Sequence, residues 1–376
     1  MNDQIMQVQF RGKDIKSMDG KFSKSDPFLQ IYAMDPQPRM VTKTEYIKNT
    51  KEPVWKPLQV SLTQLCQNDM NRPIKISCLD FDDHSAADLI GSFETSVSQL
   101  KQGTGFEQEL HPPKASRKSV GRIGTIGAAR VAVKESFEGL LYRGMEISLV
   151  VAVDWTASNQ APNKPTSLHY LDPSGKLNAY QEALSTVGGI LLSYDRDQYV
   201  PLYGFGGKLP GQTSTSQCFP LSGQQDPRVV GVQGMMQAYQ AALQNVALSG
   251  PTQFGPVLAE AIRSARSGGD ALKYTVLLIL TDGMIMDMNK VKEQIKSSCT
   301  NTPLSIVIVG VGNADFAGME ELDGDHSRSA FPRDIVQFVE FRAYAGRPHA
   351  TAALASEVLA EIPGQCESYF FNKNLR

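Results

Sequence analysis

The sequence predicts a multidomain protein: an all-β sandwich followed by an α/β, Rossmann-like domain built on a mostly parallel central sheet. Two observations carry this. Between Val8 and about Val133 the chain is a series of short β-rich runs, "FLQIYAM", "MVTKTEYI", "PLQVSL", "IKISCLDF" and "LIGSFETSV", broken by Pro, Gly, Asn and Asp. That rhythm belongs to antiparallel sandwiches. After Phe137 it gives way to continuous apolar runs, "ISLVVAV", "YVPLYGF", "TVLLIL" and "LSIVIVGVG", alternating with helical stretches at 179–192, 230–248, 254–265 and 290–298. Such strands are buried on both faces, as in a parallel sheet covered by helices. The change of pattern near 136–144 predicts domains at 1–136 and 137–369. The joining stretch is too short for a free tether, so a restricted relative orientation is expected.

The chain has 376 residues, 41% hydrophobic and 20% charged, enough for a real core in each domain. Its 37 basic and 39 acidic residues leave a formal charge of -2, which argues against a nucleic-acid partner. Five cysteines, Cys66, Cys78, Cys218, Cys299 and Cys366, are scattered and never form CxxC, pointing to reduced intracellular thiols rather than a disulfide framework or zinc cluster. The start, "MNDQIMQVQF", lacks the basic and apolar parts of a secretory leader, and no apolar run approaches the roughly 18 residues of a membrane span. Membrane contact is therefore expected to be peripheral.

In an open parallel sheet the functional crevice lies beyond the carboxyl ends of the strands. There "VVAVDWTASN" ends in Asp154, Thr156 and Ser158, and "VLLILTDG" ends in Asp282. Between them in sequence, "SGPTQFGPVLAEAI" places Thr252 just before a helix. Each feature alone has a plain structural reading, a turn for Asp282 or a helix cap for Thr252. Together, two carboxylates and three hydroxyls on one rim suit a hard divalent cation, Mg²⁺ or Mn²⁺. The order Asp-x-Thr-x-Ser, Thr, Asp resembles the metal-ion-dependent adhesion site of von Willebrand factor A domains, with Thr156 where most such domains have Ser. The resemblance implies a metal with one open position, filled by a carboxylate of a protein partner.

The first domain has its own carboxylates: Asp19 and Asp26 in "SMDGKFSKSDPF", then Asp80, Asp82 and Asp88 in "CLDFDDHSAADLIG". Singly, these read as turn formers. Clustered, they repel one another unless a cation intervenes, and Ca²⁺ takes 6 to 8 oxygens. The pattern is similar to the calcium loops of C2 domains, all five acidic positions being filled, which implies calcium-dependent binding to acidic phospholipid membranes. Lys43, Lys48 and Lys51 in "TKTEYIKNTKEPVWKP" are candidate lipid contacts, although lysines also suit a solvated strand face.

A C2 domain followed directly by an A domain, with "KEPVWKP", "DWTASN", "GPTQF", "LLILTDGMIMDM", "ELDGD" and "IPGQCESYFF", resembles the copines along nearly the whole chain. That resemblance implies a non-enzymatic adaptor, cytoplasmic and moving to the plasma membrane or other membranes on a calcium rise, with intracellular protein partners. Copines typically carry two C2 domains. The single one here looks like the second, so lower membrane avidity is expected. The tail "CESYFFNKNLR" has one Cys and no His, so the zinc-binding RING of a related plant branch is not implied.

Two rival readings are a metal-dependent hydrolase or phosphotransferase using Asp154 and a scaffold with inactive metal sites. The first is weakened because Thr156 stands where an acid or base is wanted and no His lies in the strand-end motifs. "YGFGGKLPG" is no phosphate loop, since Leu202 and Leu209 occupy positions that need Gly and Ser/Thr.

Overall fold

The computed structural model describes residues 3–18, 24–34, 36–83, 86–102, 105–112, 119–269, 271–323, 331–344 and 350–374. They fall into two compact units, one ending at Glu135 and the other spanning Ser136–Lys373.

The first unit is a β-sandwich of antiparallel pairs. Its strands are β1 (Asp3–Val8), β2 (Phe10–Lys13), β3 (Pro27–Ala33), β4 (Arg39–Lys43), β5 (Leu58–Ser61), β6 (Ile74–Asp80), β7 (Asp88–Thr95), β8 (Glu107–Glu109), β9 (Arg122–Thr125) and β10 (Arg130–Lys134). They pair in the orders β4-β3-β6-β7, β10-β1-β5 and β2-β9-β8. Alternation sends Leu29, Ile31, Ile74, Ile76 and Cys78 into a core that also takes Phe10 and Trp55. Trp55 is fully buried, and its indole N–H donates to the Pro27 carbonyl at 3.1 Å, so the tryptophan of "PVWKP" anchors the start of β3. Short helices α1 (Leu62–Cys66) and α2 (Val97–Leu100) are capped by Ser61 and Ser96.

The second unit opens with α3 (Phe137–Tyr142), capped by Ser136, and continues into β11 (Glu146–Asp154). A helical stretch follows at α4 (Ala179–Ala183), a π segment Leu184–Gly188 and α5 (Gly189–Leu192). Then come β12 (Tyr199–Phe205), short strands β13 (Gly207–Lys208), β14 (Phe219–Pro220) and β15 (Arg228–Val230), and α6 (Gly231–Asn245). The expected helix 230–248 stops at Asn245 because Ala247–Leu248 leave it to form β16, which pairs with β13. The rest is α7 (Gly255–Ser267), β17 (Lys273–Thr281), α8 (Met288–Ser298), β18 (Leu304–Gly310), α9 (Ala317–Asp323), β19 (Val336–Glu340), α10 (Ala350–Leu359) and α11 (Ile362–Asn374).

Strand order is β14-β12-β11-β17-β18-β19, with the run from β12 to β19 parallel. Apolar side chains cover both faces in two clusters. One holds Trp155, Tyr180, Tyr239 and the inward side of α11, and the other α7 and α8. The continuous apolar runs in the sequence follow from this double burial.

Arg333 is buried, and among the described residues no carboxylate pairs with it. Its guanidinium donates to the carbonyls of Cys299, Thr302, Leu304 and Gln365 and to the Tyr274 hydroxyl, and lies 5.5 Å from the centre of the Tyr369 ring. One side chain thus ties α8, β17, β18 and α11 together. Replacing it by Leu strands several buried acceptors, and Arg333→Leu is expected to destabilise the second unit by roughly 3 to 5 kcal/mol in denaturant unfolding. A loss below about 1 kcal/mol contradicts the clamp.

Candidate metal centre

β11 and β17 are adjacent and parallel, with Val153 opposite Leu280, so their C-terminal residues emerge side by side. This puts Asp154, fully buried, next to Asp282, 6% exposed. Asp154 Oδ1 accepts from the Thr156 N–H (2.8 Å) and the Thr156 hydroxyl (2.5 Å), while Oδ2 accepts from the Thr281 hydroxyl (2.6 Å). The Thr156 and Ser158 hydroxyls are 2.8 Å apart, and Ser158 donates to Asp282 Oδ1 at 2.9 Å. Four of the five predicted ligands therefore form one connected ring of oxygens.

Thr252, the fifth, lies on the same rim, but no hydrogen bond joins its hydroxyl to that ring. Its loop is held from both sides: Ala157 N–H donates to the Ser249 carbonyl (2.6 Å), and Met286 N–H donates to the Thr252 carbonyl (2.9 Å). Thr252 is not the cap of α7. The N–H groups of Phe254 and Gly255 donate to the Asp287 carboxylate at 3.0 and 2.9 Å, so two donors at the start of that helix are satisfied from the β17–α8 loop.

Residues that the sequence did not single out support the ring. Asn159 is buried; its amide nitrogen donates to the Thr156 carbonyl (3.1 Å) and reaches Asp154 Oδ1 (3.4 Å), and its oxygen accepts from the Tyr180 hydroxyl (2.8 Å). His169 stacks on Tyr180 with centroids 4.3 Å apart and shares a 2.7 Å hydrogen bond with the Tyr239 hydroxyl. Burial holds His169 neutral, down at about 3, so it is a structural residue beneath the site. Gly206, at φ +79°, lies so close to Thr156 that a Cβ there would collide with the threonine methyl. A glycine of "YGFGGK" thus serves close approach of two backbones.

Electrostatically the centre is short of positive charge. Burial pushes the Asp154 carboxyl above its ordinary range, opposed by hydrogen bonds from Thr156 and Thr281. Burial and then the neighbouring Asp154 push Asp282 from 3.8 up to about 7, and no lysine or arginine is among its principal influences. An all-oxygen set around two buried carboxylates that resist ionising fits a hard divalent cation.

In the first unit the carboxylates are arranged differently. Asp80 ends β6 and is buried, and its Oδ1 accepts from the Asp26 N–H at 2.7 Å. Asp26 Oδ1 accepts from the Asn49 N–H, also at 2.7 Å, and the Phe81 N–H donates to the Asp26 carbonyl at 3.1 Å. Asp88 sits opposite Asp80 in the β6–β7 ladder, and both Asp88 and Asp82 are exposed. Asp80 Oδ2 is buried and meets no hydrogen-bond partner among the described residues, an orphaned acceptor that fits a cation. Asp19 lies outside the described residues, and among those described no three His, Cys, Asp or Glu side chains converge. Lys43, Lys48 and Lys51 are all exposed, at the end of edge strand β4 and in the loop after it.

A C2 domain model matches residues 5–111, and a Copine model matches residues 167–376, more than half of the chain. The chain belongs to the copine family. It is similar to "Protein BONZAI 2" of Arabidopsis thaliana, 41% identical over 389 aligned residues that cover 98% of this chain and 65% of that protein. It thus spans about 65% of the length of that curated relative. Among solved structures, "BON1-C2B" is 28% identical, covering 35% of this chain and 94% of that one at a TM-score of 0.31. A C2 domain of plant Extended Synaptotagmin 1 is 12% identical, covering 34% and 94% respectively, at 0.27. Within this copine chain, Thr252 and Asp282 fall inside the Copine match, and Asp154, Thr156 and Ser158 precede it. Among the described residues no helix is long and apolar enough to cross a membrane.

The raised Asp282 gives a pH signature. Without a cation, the folded state holds a proton on Asp282 more tightly than the unfolded chain between pH 3.8 and about 7. Its stabilising contribution is full below that window and disappears as pH rises through it. In chelator, Asp282→Asn is expected to show a flatter fall in thermal midpoint from pH 5 to pH 7.5 than the unmodified chain. Parallel pH profiles contradict the assignment.

Proposed function

We propose that this copine chain is a calcium-responsive, phospholipid-binding adaptor that brings protein partners to membranes. The C2 unit docks on acidic phospholipid membranes when Ca²⁺ is held by Asp80 and Asp26 with Asp19, Asp82 and Asp88. The metal then bridges the loops to headgroup phosphates, with Lys43, Lys48 and Lys51 adding attraction. The second unit holds Mg²⁺ or Mn²⁺ through Thr156, Ser158 and Asp282, with Asp154 and Thr252 completing the shell, and the ion receives a partner's carboxylate. Its working place is the cytoplasm, at the surface of the plasma membrane or other membranes when calcium rises.

The observation that supports this best is the buried Asp154–Asp282 pair inside a ring of hydroxyls. It also speaks against an enzyme. A nucleophilic carboxylate must be open to its substrate, whereas Asp154 is wholly buried.

Two measurements test the two halves. Co-sedimentation with phosphatidylserine-containing vesicles is expected in Ca²⁺ and not in chelator, and to be lost when Asp80→Asn is combined with Asp82→Asn. Binding that persists in chelator or in that variant contradicts the calcium mechanism. For the second unit, calorimetric titration with Mg²⁺ is expected to show affinity reduced roughly tenfold or more in Asp154→Ala, which removes the buried anchor of the oxygen ring. A metal titration unchanged in a folded variant eliminates the site.

A further inference from the structure

A shallow cavity of about 480 Å³ opens beside the first loop of the candidate metal centre. Ala157, which stands between Thr156 and Ser158, forms part of its wall. Pro162, Leu243 and Leu248 give it an apolar surface, and Gln160 and Gln244 contribute side-chain amides. A second cavity, of about 510 Å³, shares Asn245 and Val246 with the first and extends past the C-terminal end of α6 to β14. No residue lining either cavity is charged. With 20% charged residues in the chain and more than that on ordinary protein surfaces, about four would be expected.

We propose that this uncharged cleft is the second half of the partner site. It takes an extended peptide whose Asp or Glu reaches the metal and whose neighbouring uncharged residues lie along Pro162, Leu243 and Leu248. The inference rests on the metal reading of Asp154 and Asp282 and adds what surrounds the partner's carboxylate. Side-chain amides match a peptide main chain because an amide offers both donors and an acceptor without demanding a charge; the Gln160 oxygen already accepts from the Thr166 hydroxyl at 2.6 Å, which leaves its N–H groups as donors. Gln244 is exposed and its side chain makes no hydrogen bond among the described residues, so its amide is available. The cavity volume lies within the range of ligand clefts, roughly 300 to 1,000 Å³. A phosphate-bearing ligand would need cationic side chains and a basic peptide acidic ones, and the lining has neither.

Selection of phage-displayed random heptapeptides on the full chain in Mg²⁺, with release by chelator, supplies the probe, and fluorescence anisotropy of the recovered peptides measures it. The expected peptides carry one fixed Asp or Glu flanked by uncharged residues. Gln244→Glu, which introduces a charge, and Ala161→Trp, which fills the cavity, are at exposed positions and should each weaken them roughly tenfold or more. Their Mg²⁺ titrations should match the unmodified chain. Peptides rich in Lys or Arg, peptides without an acid, no chelator-released peptide at all, or affinities unchanged in both variants would each overturn the inference while leaving Mg²⁺ binding intact. An unmodified chain that takes up no Mg²⁺ overturns the metal reading itself, and this inference with it.

Discussion

Two carboxylates buried side by side, with no lysine or arginine among the described residues acting strongly on them, are the constraint around which the second unit is arranged. β11 and β17 are neighbours in a parallel sheet, so their final residues must emerge together, and in this sequence those ends carry Asp154 and Asp282. Left alone, such a pair is resolved by keeping a proton, and burial together with Asp154 does push Asp282 up to about 7. The surrounding residues hold the oxygens in place without supplying a counter-charge. Thr156, Thr281 and Ser158 donate hydroxyls, Asn159 braces the loop from beneath, and Gly206 lets β12 approach Thr156. Protein groups supply hydrogen bonds to the pair, and the proposed cation would supply the missing charge.

The C2 unit treats its acidic residues in another way. Asp80 and Asp26 use one oxygen each to fix backbone N–H groups, of Asp26 and Asn49, which ties the end of β6 to the segment entering β3. Trp55 fixes Pro27 from the core side of the same segment. What is left over is Asp80 Oδ2, buried and without a partner among the described residues, while Asp82 and Asp88 stay in solvent. Part of the carboxylate set is therefore structural, and the unsatisfied Asp80 oxygen is the one that the proposed Ca²⁺ would meet.

Local pattern made much of this legible. The apolar runs ending in Asp154 and Asp282 give both the parallel strands and the ends of those strands, because double burial and exposed termini are written in adjacent residues. The alternating runs of the first unit likewise mark β3, β6 and β7. Less visible were groups whose roles depend on distant partners. Asn159, Tyr180, His169 and Tyr239 form a buried set drawn from positions 80 residues apart, with no spacing that announces it. Asp287 capping α7 from the next loop displaced the local reading of Thr252 as a cap. β16 interrupted an apolar helical pattern because Ala247–Leu248 found strand partners at Gly207–Lys208. In each case a tertiary contact overrode a sequence-local preference.

The ionisation of Asp282 is the most direct probe of the central claim, and carbon NMR of its side-chain carboxyl reads it residue by residue. In chelator the resonance should titrate near pH 7, far above an ordinary aspartate, and saturating Mg²⁺ should move the midpoint down into the usual carboxylate range. An Asp282 that titrates like an exposed aspartate in chelator, or one whose midpoint ignores Mg²⁺, would contradict the account of a buried, uncompensated pair that is completed by a metal ion.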